Sequence, residues 1–233
     1  IYPFPKYLRF FVRILLQPYF LILRYVISNS NHVTTISNGF RNWIRLFDSS
    51  NDENKNHIIP LTSPVVSINK SKYKKIFKWW NKNGLVEGKK TICFVGSLSR
   101  AFDFKPIQSL IKYLSYKKID INFVICGSGD KSNDIKKMIN KFDNVFFPGW
   151  VNFEQIKVLL DNSYCMLAPY KNLEDFKSSI PNKIYDALSH GVPIITSLEG
   201  EVKKLIDGHE IGIHYKNDRD LCIKFDKILL DKK

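Results

Sequence analysis

Between residues 90 and 231, short apolar runs alternate six times with segments of helical periodicity, and this alternation constrains the fold more than any other feature. The runs are continuous rather than alternating in polarity, which is typical of strands covered on both faces. The pattern predicts an α/β fold with a doubly wound parallel sheet. The predicted strands are TICFVGSL, INFVICG, NVFFPGW, YCMLAPY, VPIITS and IGIHY, and the predicted helices cover residues 105–116, 131–142, 153–161, 181–190, 200–207 and 218–231.

The chain before this region has a different character. Residues 6–28 are predicted to form one amphipathic helix with a kink at Pro18. One stripe of this helix is basic or polar and consists of Lys6, Arg9, Arg13 and Gln17. Two interpretations stay open: a helix that lies in a membrane interface, or a helix packed within a domain with its basic stripe in water.

The remaining segments suggest where the domains meet. They are a short strand at 32–37, a turn at Asn38-Gly39, a helix at 41–47, a polar loop at 48–56, a brief strand in HIIPLTSP and a Lys-rich helical segment at 67–90. These segments place the linker or boundary at residues 61–89, between residues 1–60 and a doubly wound α/β domain at residues 90–233.

Charge and cysteine content narrow the function classes. The formal net charge is +14, and no acidic residue precedes Asp48, so anionic partners are expected. The buried-strand pattern argues against a basic nucleic-acid-binding protein. No uncharged apolar stretch approaches the ~20 residues that span a bilayer. The cysteines are spaced too widely for a metal knuckle or redox pair, and we predict buried apolar roles for Cys93, Cys126 and Cys165, which lie in apolar runs.

Two small-residue turns follow the first two predicted strands. Gly96–Arg100 leads into a helix, where backbone N–H groups and the Arg100 side chain suit a phosphate. The alternative is an ordinary turn with a surface arginine. Cys126–Asp130 contains only half of a dinucleotide fingerprint and follows the second strand rather than the first. We therefore interpret it as a structural turn rather than a nicotinamide site.

A third candidate follows the fourth strand. Pro181 marks a helix start, where first-turn amides favour an anion. Lys183 and Asp186 are three residues apart and share a face of that helix. A cation beside a carboxylate fits a phosphorylated ribose, with Lys183 on phosphate and Asp186 on sugar hydroxyls. The alternative is an ordinary ion pair.

The segment SSIPNKIYDALSHGVPIITS resembles the donor-site signature of retaining glycosyltransferases of the GT-B fold, and is most similar to family 4. The segments FVGSLSR, FVICGSG, FPGWV and MLAPY precede it in the family's order. The resemblance covers roughly residues 90–231 and implies the C-terminal, nucleotide-sugar-binding domain of that fold, with the end of the N-terminal domain before it.

The resemblance implies a set of donor-binding residues, but it identifies no catalytic residue. The expected donor-binding residues are Gly96, Ser97, Arg100, Trp150, Val151, Ser179, Pro181, Asn182, Lys183 and Asp186. The first loop and the Pro181 helix start would hold the diphosphate, and Trp150-Val151 would contact the base through backbone groups. This chain departs from the family in having Asp186 and Ser178 where Glu is common, and Phe102-Asp103 where Lys-Gly is common.

The resemblance implies transfer of a sugar, with retention, from a nucleoside-diphosphate donor to a polysaccharide or glycolipid acceptor. No metal or cofactor is expected, and Asp218-Arg219-Asp220 is interpreted as a helix start rather than a metal motif. Expected partners are the nucleotide sugar, a saccharide or lipid-linked acceptor and an anionic membrane surface, with a cytoplasmic location at the inner face. Two alternatives remain: a truncated, non-catalytic nucleotide-sugar-binding remnant and a basic nucleic-acid-binding protein.

Overall fold

The computed structural model describes residues 5, 7–48, 52–63 and 67–230. The chain divides into two units, Ile1–Pro60 and Leu61–Lys233. Predictions that fall on Lys6 or on residues 49–51, 64–66 and 231–233 lie outside the described residues.

The first unit begins with two helices where the sequence predicts one. Helices α1 (Arg9–Leu15) and α2 (Gln17–Asn29) meet at Leu16 with a bend of 52°. The break lies just before Pro18 rather than at it, because Pro18 occupies the first turn of α2, where a backbone N–H has no helical partner. Among the described residues no single helix is long and apolar enough to cross a membrane, and α1 and α2 meet that criterion only together, as a bent pair.

The rest of the first unit is a small parallel pair of strands with a third helix. Strand β1 (Val33–Thr35) pairs with β2 (Asn56–Ile58). Helix α3 (Asn38–Arg45) begins earlier than predicted, because the Ser37 hydroxyl accepts a hydrogen bond from the Phe40 N–H and caps it. Asn38 and Gly39 therefore lie in the first helical turn, not in a turn before it. A 3-10 turn at Glu53–Lys55 lies in the predicted loop.

The second unit confirms the predicted parallel sheet. Helix α4 (Lys70–Asn81) precedes β3 (Lys90–Val95), α5 (Lys105–Tyr116), β4 (Ile121–Cys126), α6 (Ser132–Ile139), β5 (Val145–Gly149), α7 (Phe153–Asp161), β6 (Cys165–Ala168), α8 (Glu174–Lys177), α9 (Asn182–Ser189), β7 (Ile194–Thr196), α10 (Glu201–Gly208), β8 (Gly212–His214) and α11 (Asp218–Leu230). The six strands run in the order β5-β4-β3-β6-β7-β8, and all neighbours are parallel. Helix α8 was not predicted, because four residues are too few for a periodic signal.

The sheet is covered on both faces, as the continuous apolar runs predict. Ile92 and Phe94 of β3 lie in one buried cluster, while Cys93 lies in another, because successive side chains on a strand point to opposite faces. Cys93, Cys126 and Cys165 are buried, as expected. Burial raises the pKa of the Cys93 thiol to about 12.

Helix α4, in the segment 61–89 that is predicted to form the linker or boundary, packs within the second unit. Trp80 has no exposed surface and belongs to the cluster that contains Cys93 and Val158 of α7. Its indole N–H donates a 3.0 Å hydrogen bond to the carbonyl of Gln155.

The strand order fixes where a ligand crevice lies. Strand β3 has β4 on one side and β6 on the other, so the chain reverses its direction of travel across the sheet at β3. In open α/β sheets the crevice lies at such a reversal, outside the carboxyl ends of the strands.

Candidate functional site

The loops that follow β3 and β6 are tied together across the crevice. Phe102 and Tyr170 form an antiparallel bridge outside the sheet. The Asp103 N–H donates to the carbonyl of Pro169 at 2.8 Å, and the Lys171 N–H donates to the carbonyl of Ala101 at 2.8 Å. Backbone hydrogen bonds between these two loops therefore form one side of the crevice.

The small-residue loops after β3 and β4 also pack on each other. The Gly96 N–H donates to the Cys126 carbonyl at 3.2 Å, and the Leu98 N–H donates to the Ser128 carbonyl at 2.9 Å. A Cβ on Gly127, whose φ is +119°, would lie 1.9 Å from the Gly96 oxygen. Gly127 is therefore needed for close approach of two loops, which supports a structural turn there.

Lys183 reaches this crevice from the first turn of α9. Its ammonium nitrogen lies 4.0 Å from the ring centroid of Phe94, 4.1 Å from that of Phe102 and 5.3 Å from that of Tyr170. The residue as a whole is half-buried, but the nitrogen is buried and has no hydrogen-bond partner among the described residues. We call these three rings the aromatic box.

The box changes the acidity of Lys183. Burial lowers the pKa of the ammonium to about 7, against a smaller opposing effect of the Asp186 carboxylate. A Cβ on Gly96 would lie 2.7 Å from the Lys183 nitrogen, so the nitrogen lies directly against the loop that follows β3.

Asp186 lies one turn further along α9 and has a partner that the sequence did not suggest. Its Oδ1 accepts a 2.7 Å hydrogen bond from the Ser63 hydroxyl. Since the Lys183 nitrogen bonds to no described residue, the two side chains do not form the ordinary hydrogen-bonded ion pair that was the alternative. Ser63, Asp186 and His190 line a small cavity of about 40 Å³ together with residues of α7.

The start of α9 is open to an anion. Pro181 occupies the position before the helix and no side chain caps it, and the first turn contains no acidic residue. The Ile184 N–H donates to the Pro181 carbonyl at 2.9 Å, and the helix dipole favours negative charge at the N–H groups before it. Asn182 is exposed, whereas Ser179 is buried and its hydroxyl donates to the Asp175 carbonyl at 3.2 Å.

The other predicted residues lie on neighbouring loops. Ser97 is exposed. Arg100 is exposed and pairs with Asp130 of the next loop, with 3.2 Å between Nε and Oδ2. Exposed ion pairs of this kind stabilise by about 0–1 kcal/mol, so Arg100 can exchange its partner easily. Trp150 is 76% exposed at the end of β5, while Val151 is buried.

Three residues at the site were not assigned by sequence reasoning: Phe94, Tyr170 and Ser63. Phe94 and Tyr170 look like core residues of a strand and its end, and no local pattern shows that their rings meet around Lys183. One sequence signal for this cluster of rings was Phe102, an aromatic residue at a position where a lysine is common in the resembled family. Ser63 contacts a residue 123 positions away along the chain, which local periodicity does not reveal.

The Asp218-Arg219-Asp220 segment starts α11, as expected. Asp220 Oδ2 accepts the Lys216 N–H at 2.9 Å and pairs with Lys224 at 3.0 Å. In the part of the chain that the structure describes, no group of three or more His, Cys, Asp or Glu side chains could hold a metal.

Comparison with known proteins gives a family match. Residues 75–233 match the family described as Glycosyl transferases group 1. The 2-deoxystreptamine N-acetyl-D-glucosaminyltransferase of Niallia circulans is 28% identical over 116 residues, which are 48% of this chain and 28% of that protein.

Solved structures share the fold. A glycosyltransferase from Rickettsia africae ESF-5 has a TM-score of 0.65 at 18% identity, over 92% of this chain and 57% of its own. Anabaena Alr3699/HepE in complex with UDP and glucose has a TM-score of 0.63 at 15% identity, over 91% of this chain and 58% of its own. The chain thus spans less than two thirds of each relative, and has the Rossmann-like GT-B fold.

Proposed function

We propose that this chain, which belongs to the glycosyl transferases group 1 family, binds a nucleoside-diphosphate sugar in the crevice between β3, β6 and α9. The observation that carries this proposal is the meeting of three anion-binding features at one point. These are the uncapped start of α9, the Gly96 loop and the Lys183 nitrogen between them.

The diphosphate is held by backbone and cations. The diphosphate lies at the first turn of α9 and against the backbone of Ser97 and Arg100, since the Gly96 and Leu98 N–H groups already donate to the loop that follows β4. Lys183 and Arg100 supply positive charge, and Arg100 exchanges Asp130 for phosphate. As the sugar bond breaks, these groups stabilise the charge that develops on the departing diphosphate. This arrangement requires no metal.

The nucleoside lies beside the diphosphate along α9. Asp186 accepts hydrogen bonds from the ribose hydroxyls, with Ser63 holding one of its oxygens. The backbone of Trp150 and Val151 contacts the base at the end of β5. A uridine nucleotide is our first choice, since one structural relative is described in complex with UDP and glucose.

The reaction we propose is hexosyl transfer with retention to a saccharide or lipid-linked acceptor, as in family 4 and in polysaccharide or glycolipid assembly. The name of the Niallia circulans relative, an N-acetyl-D-glucosaminyltransferase, supports a hexosamine or hexose donor. Catalytic turnover by the whole protein is likewise proposed, because the chain spans only part of the length of its relatives.

We further propose that the first unit attaches peripherally to the inner, anionic face of a cell membrane. Exposed apolar side chains lie along both helices, including Phe11, Leu15 and Ile22. Arg13 and Arg24 line a cleft of about 710 Å³ in the same unit. Cations near an anionic surface each contribute about 1 kcal/mol to binding. Flotation with phosphatidylglycerol vesicles, compared with phosphatidylcholine vesicles, tests this attachment.

The donor site is tested by a thermal-shift panel of UDP-, GDP- and ADP-glucose in EDTA. Ligand at about 100 times Kd stabilises the folded state by about 2.7 kcal/mol. We expect at least one nucleotide sugar to raise the Tm, Lys183→Ala to abolish the shift, and Lys112→Ala, on an exposed part of α5, to preserve it. An undiminished shift in Lys183→Ala would place the diphosphate elsewhere.

A further inference from the structure

The aromatic box surrounds the Lys183 nitrogen with groups that stabilise its charged ammonium form poorly. No described residue offers the Lys183 nitrogen a hydrogen bond. Ring faces attract a cation. Removing an ammonium from water costs more free energy than this attraction returns, so the effect of burial is the larger one. The uncharged amine is therefore favoured while the nitrogen remains in the box.

The charged groups around this nitrogen do not reverse that balance. Asp186, on the same helix, favours the ammonium, but its effect is smaller than that of burial. Cys93 of β3 interacts electrostatically with the nitrogen, and Tyr170 contacts it from the end of β6. Burial raises the pKa of both, the Cys93 thiol to about 12, so neither supplies negative charge near neutral pH.

We propose that Phe94, Phe102 and Tyr170 act as positioning residues that keep the Lys183 side chain largely uncharged above neutral pH, so that donor binding is accompanied by proton uptake on Lys183 Nζ. The proton comes from solvent, no covalent bond other than N–H forms, and the resulting ammonium pairs with the diphosphate. This inference rests on the proposed donor site.

The Lys183 nitrogen has only a short distance to move between the aromatic box and the proposed diphosphate site. The nitrogen lies against Gly96, at the loop that leads into the proposed diphosphate site. Phe102 is central because its ring contacts the nitrogen and both other rings. Its centroid lies 5.1 Å from that of Phe94, edge to face, and 4.6 Å from that of Tyr170, with the rings tilted. A lysine at position 102, as is common in the resembled family, would supply a permanent cation instead of a wall of the box.

The test is titration calorimetry with UDP-glucose and, in parallel, ADP-glucose, at pH 7.5 in buffers of different ionisation enthalpy. Their bridging phosphates do not titrate in this range, so the slope of binding enthalpy against buffer enthalpy counts protons taken up by the protein. With the Lys183 pKa at about 7 in the free protein, we expect about 0.7 proton per donor. The affinity should also fall about 15-fold between pH 7 and pH 8.5, because the protonated fraction of the free protein falls by that factor.

Two variants isolate the box. Lys183→Arg keeps a cation that does not titrate, so binding should persist with no proton uptake. Phe102→Ala admits water to the nitrogen, so uptake should fall to near zero while binding persists. Phe142→Ala is the control, because Phe142 lies before β5, at the opposite end of the sheet.

The outcomes separate this inference from the donor site itself. Donor binding without proton uptake in the unaltered protein would overturn the inference and leave the donor site standing. Full uptake in Lys183→Arg would assign the proton to another group and would also overturn it. If Phe102→Ala fails to fold, the Lys183→Arg result decides alone. Absence of binding by both nucleotide sugars and by GDP-mannose would overturn the proposed function instead.

Discussion

The Ser63 hydroxyl donates a 2.7 Å hydrogen bond to Oδ1 of Asp186. This contact joins the segment before α4 to the first turns of α9, and it restrains a carboxylate that is one methylene shorter than glutamate. Because Oδ1 is engaged, Oδ2 is the oxygen that remains for a ribose hydroxyl.

The first prediction concerns ribose recognition. Asp186→Asn should weaken UDP binding about tenfold, whereas binding of inorganic pyrophosphate should not change, because only the ribose contact is lost. Ser63→Ala should reduce the preference for UDP over 2′-deoxy-UDP, and Ser63→Thr should restore it. Ser115→Ala, on an exposed part of α5, is the control. Equal binding of UDP and 2′-deoxy-UDP by the unaltered protein would contradict the ribose assignment.

The second prediction concerns the paired loops. Gly127→Ala would place a Cβ 1.9 Å from the Gly96 oxygen at a φ of +119°, so we expect a loss of several kcal/mol in unfolding free energy. Gly208→Ala is the matched control, because a Cβ there meets nothing within 4 Å. Urea unfolding measures both variants. Similar midpoints for the two would show that the loops separate without loss.

The third prediction concerns α4. Trp80→Ala should lower the unfolding free energy of the second unit by about 3–5 kcal/mol, because it removes a fully buried indole and its hydrogen bond to Gln155. Trp43→Ala, at a position that is 42% exposed in the first unit, should change it by less than about 1 kcal/mol. A small effect of Trp80→Ala would mean that α4 is dispensable for the second unit.

The fourth prediction is a pH dependence of stability. The Lys183 pKa is about 7 in the folded protein and ordinary, at 10.5, in the unfolded chain. Between these values the unfolded chain binds the proton and the folded protein does not, so unfolding free energy should rise with pH. The contribution cannot exceed about 1.4 kcal/mol per pH unit. It is fully present above pH 10.5 and lost as the pH falls to 7.

This contribution is measured by difference. Lys183→Met keeps an apolar chain of similar length in the box and removes the titration. Urea unfolding at pH 7, 8 and 9 should show that the unfolding free energy rises less steeply with pH in the variant than in the unaltered protein. Parallel slopes would mean that the ammonium is hydrated in the folded state.

The fifth prediction concerns the acidic start of α11. Asp220→Ala should cost about 0.3–1 kcal/mol of stability, because its carboxylate lies in the first turn of α11 and accepts the Lys216 N–H that precedes the helix. UDP-glucose binding in EDTA should be the same in the variant and the unaltered protein. A loss of binding that added Mn²⁺ restores would instead make Asp220 a metal ligand.

Much of this fold could be predicted, because its strands are long apolar runs and its helices have clear periodicity. The helices at Lys105–Tyr116 and Phe153–Asp161 have the predicted bounds, since Pro106 and Asn152 mark their starts. Predictions failed where a local signal was weak, as at Leu16 and at α8.

The sequence places the residues of the proposed donor site on particular loops and on α9, but it does not reveal the contacts that their side chains make. Spacing along α9 put Lys183 and Asp186 on one face and suggested that they interact. It could not show that Lys183 turns into three rings from β3 and two loops, or that Asp186 bonds instead to Ser63. Both contacts join residues far apart in the chain, so they depend on the packed sheet and not on any local pattern.

The hydrogen bonds between the Gly96 and Gly127 loops have a consequence for how such a domain tolerates insertions and deletions. The bonds continue the register of β3 and β4 beyond the strands, through Leu98 and Ser128 and from Gly127 to Gly149. A residue added to one loop would shift every hydrogen bond after it, so a change in the length of one loop requires a matching change in the other.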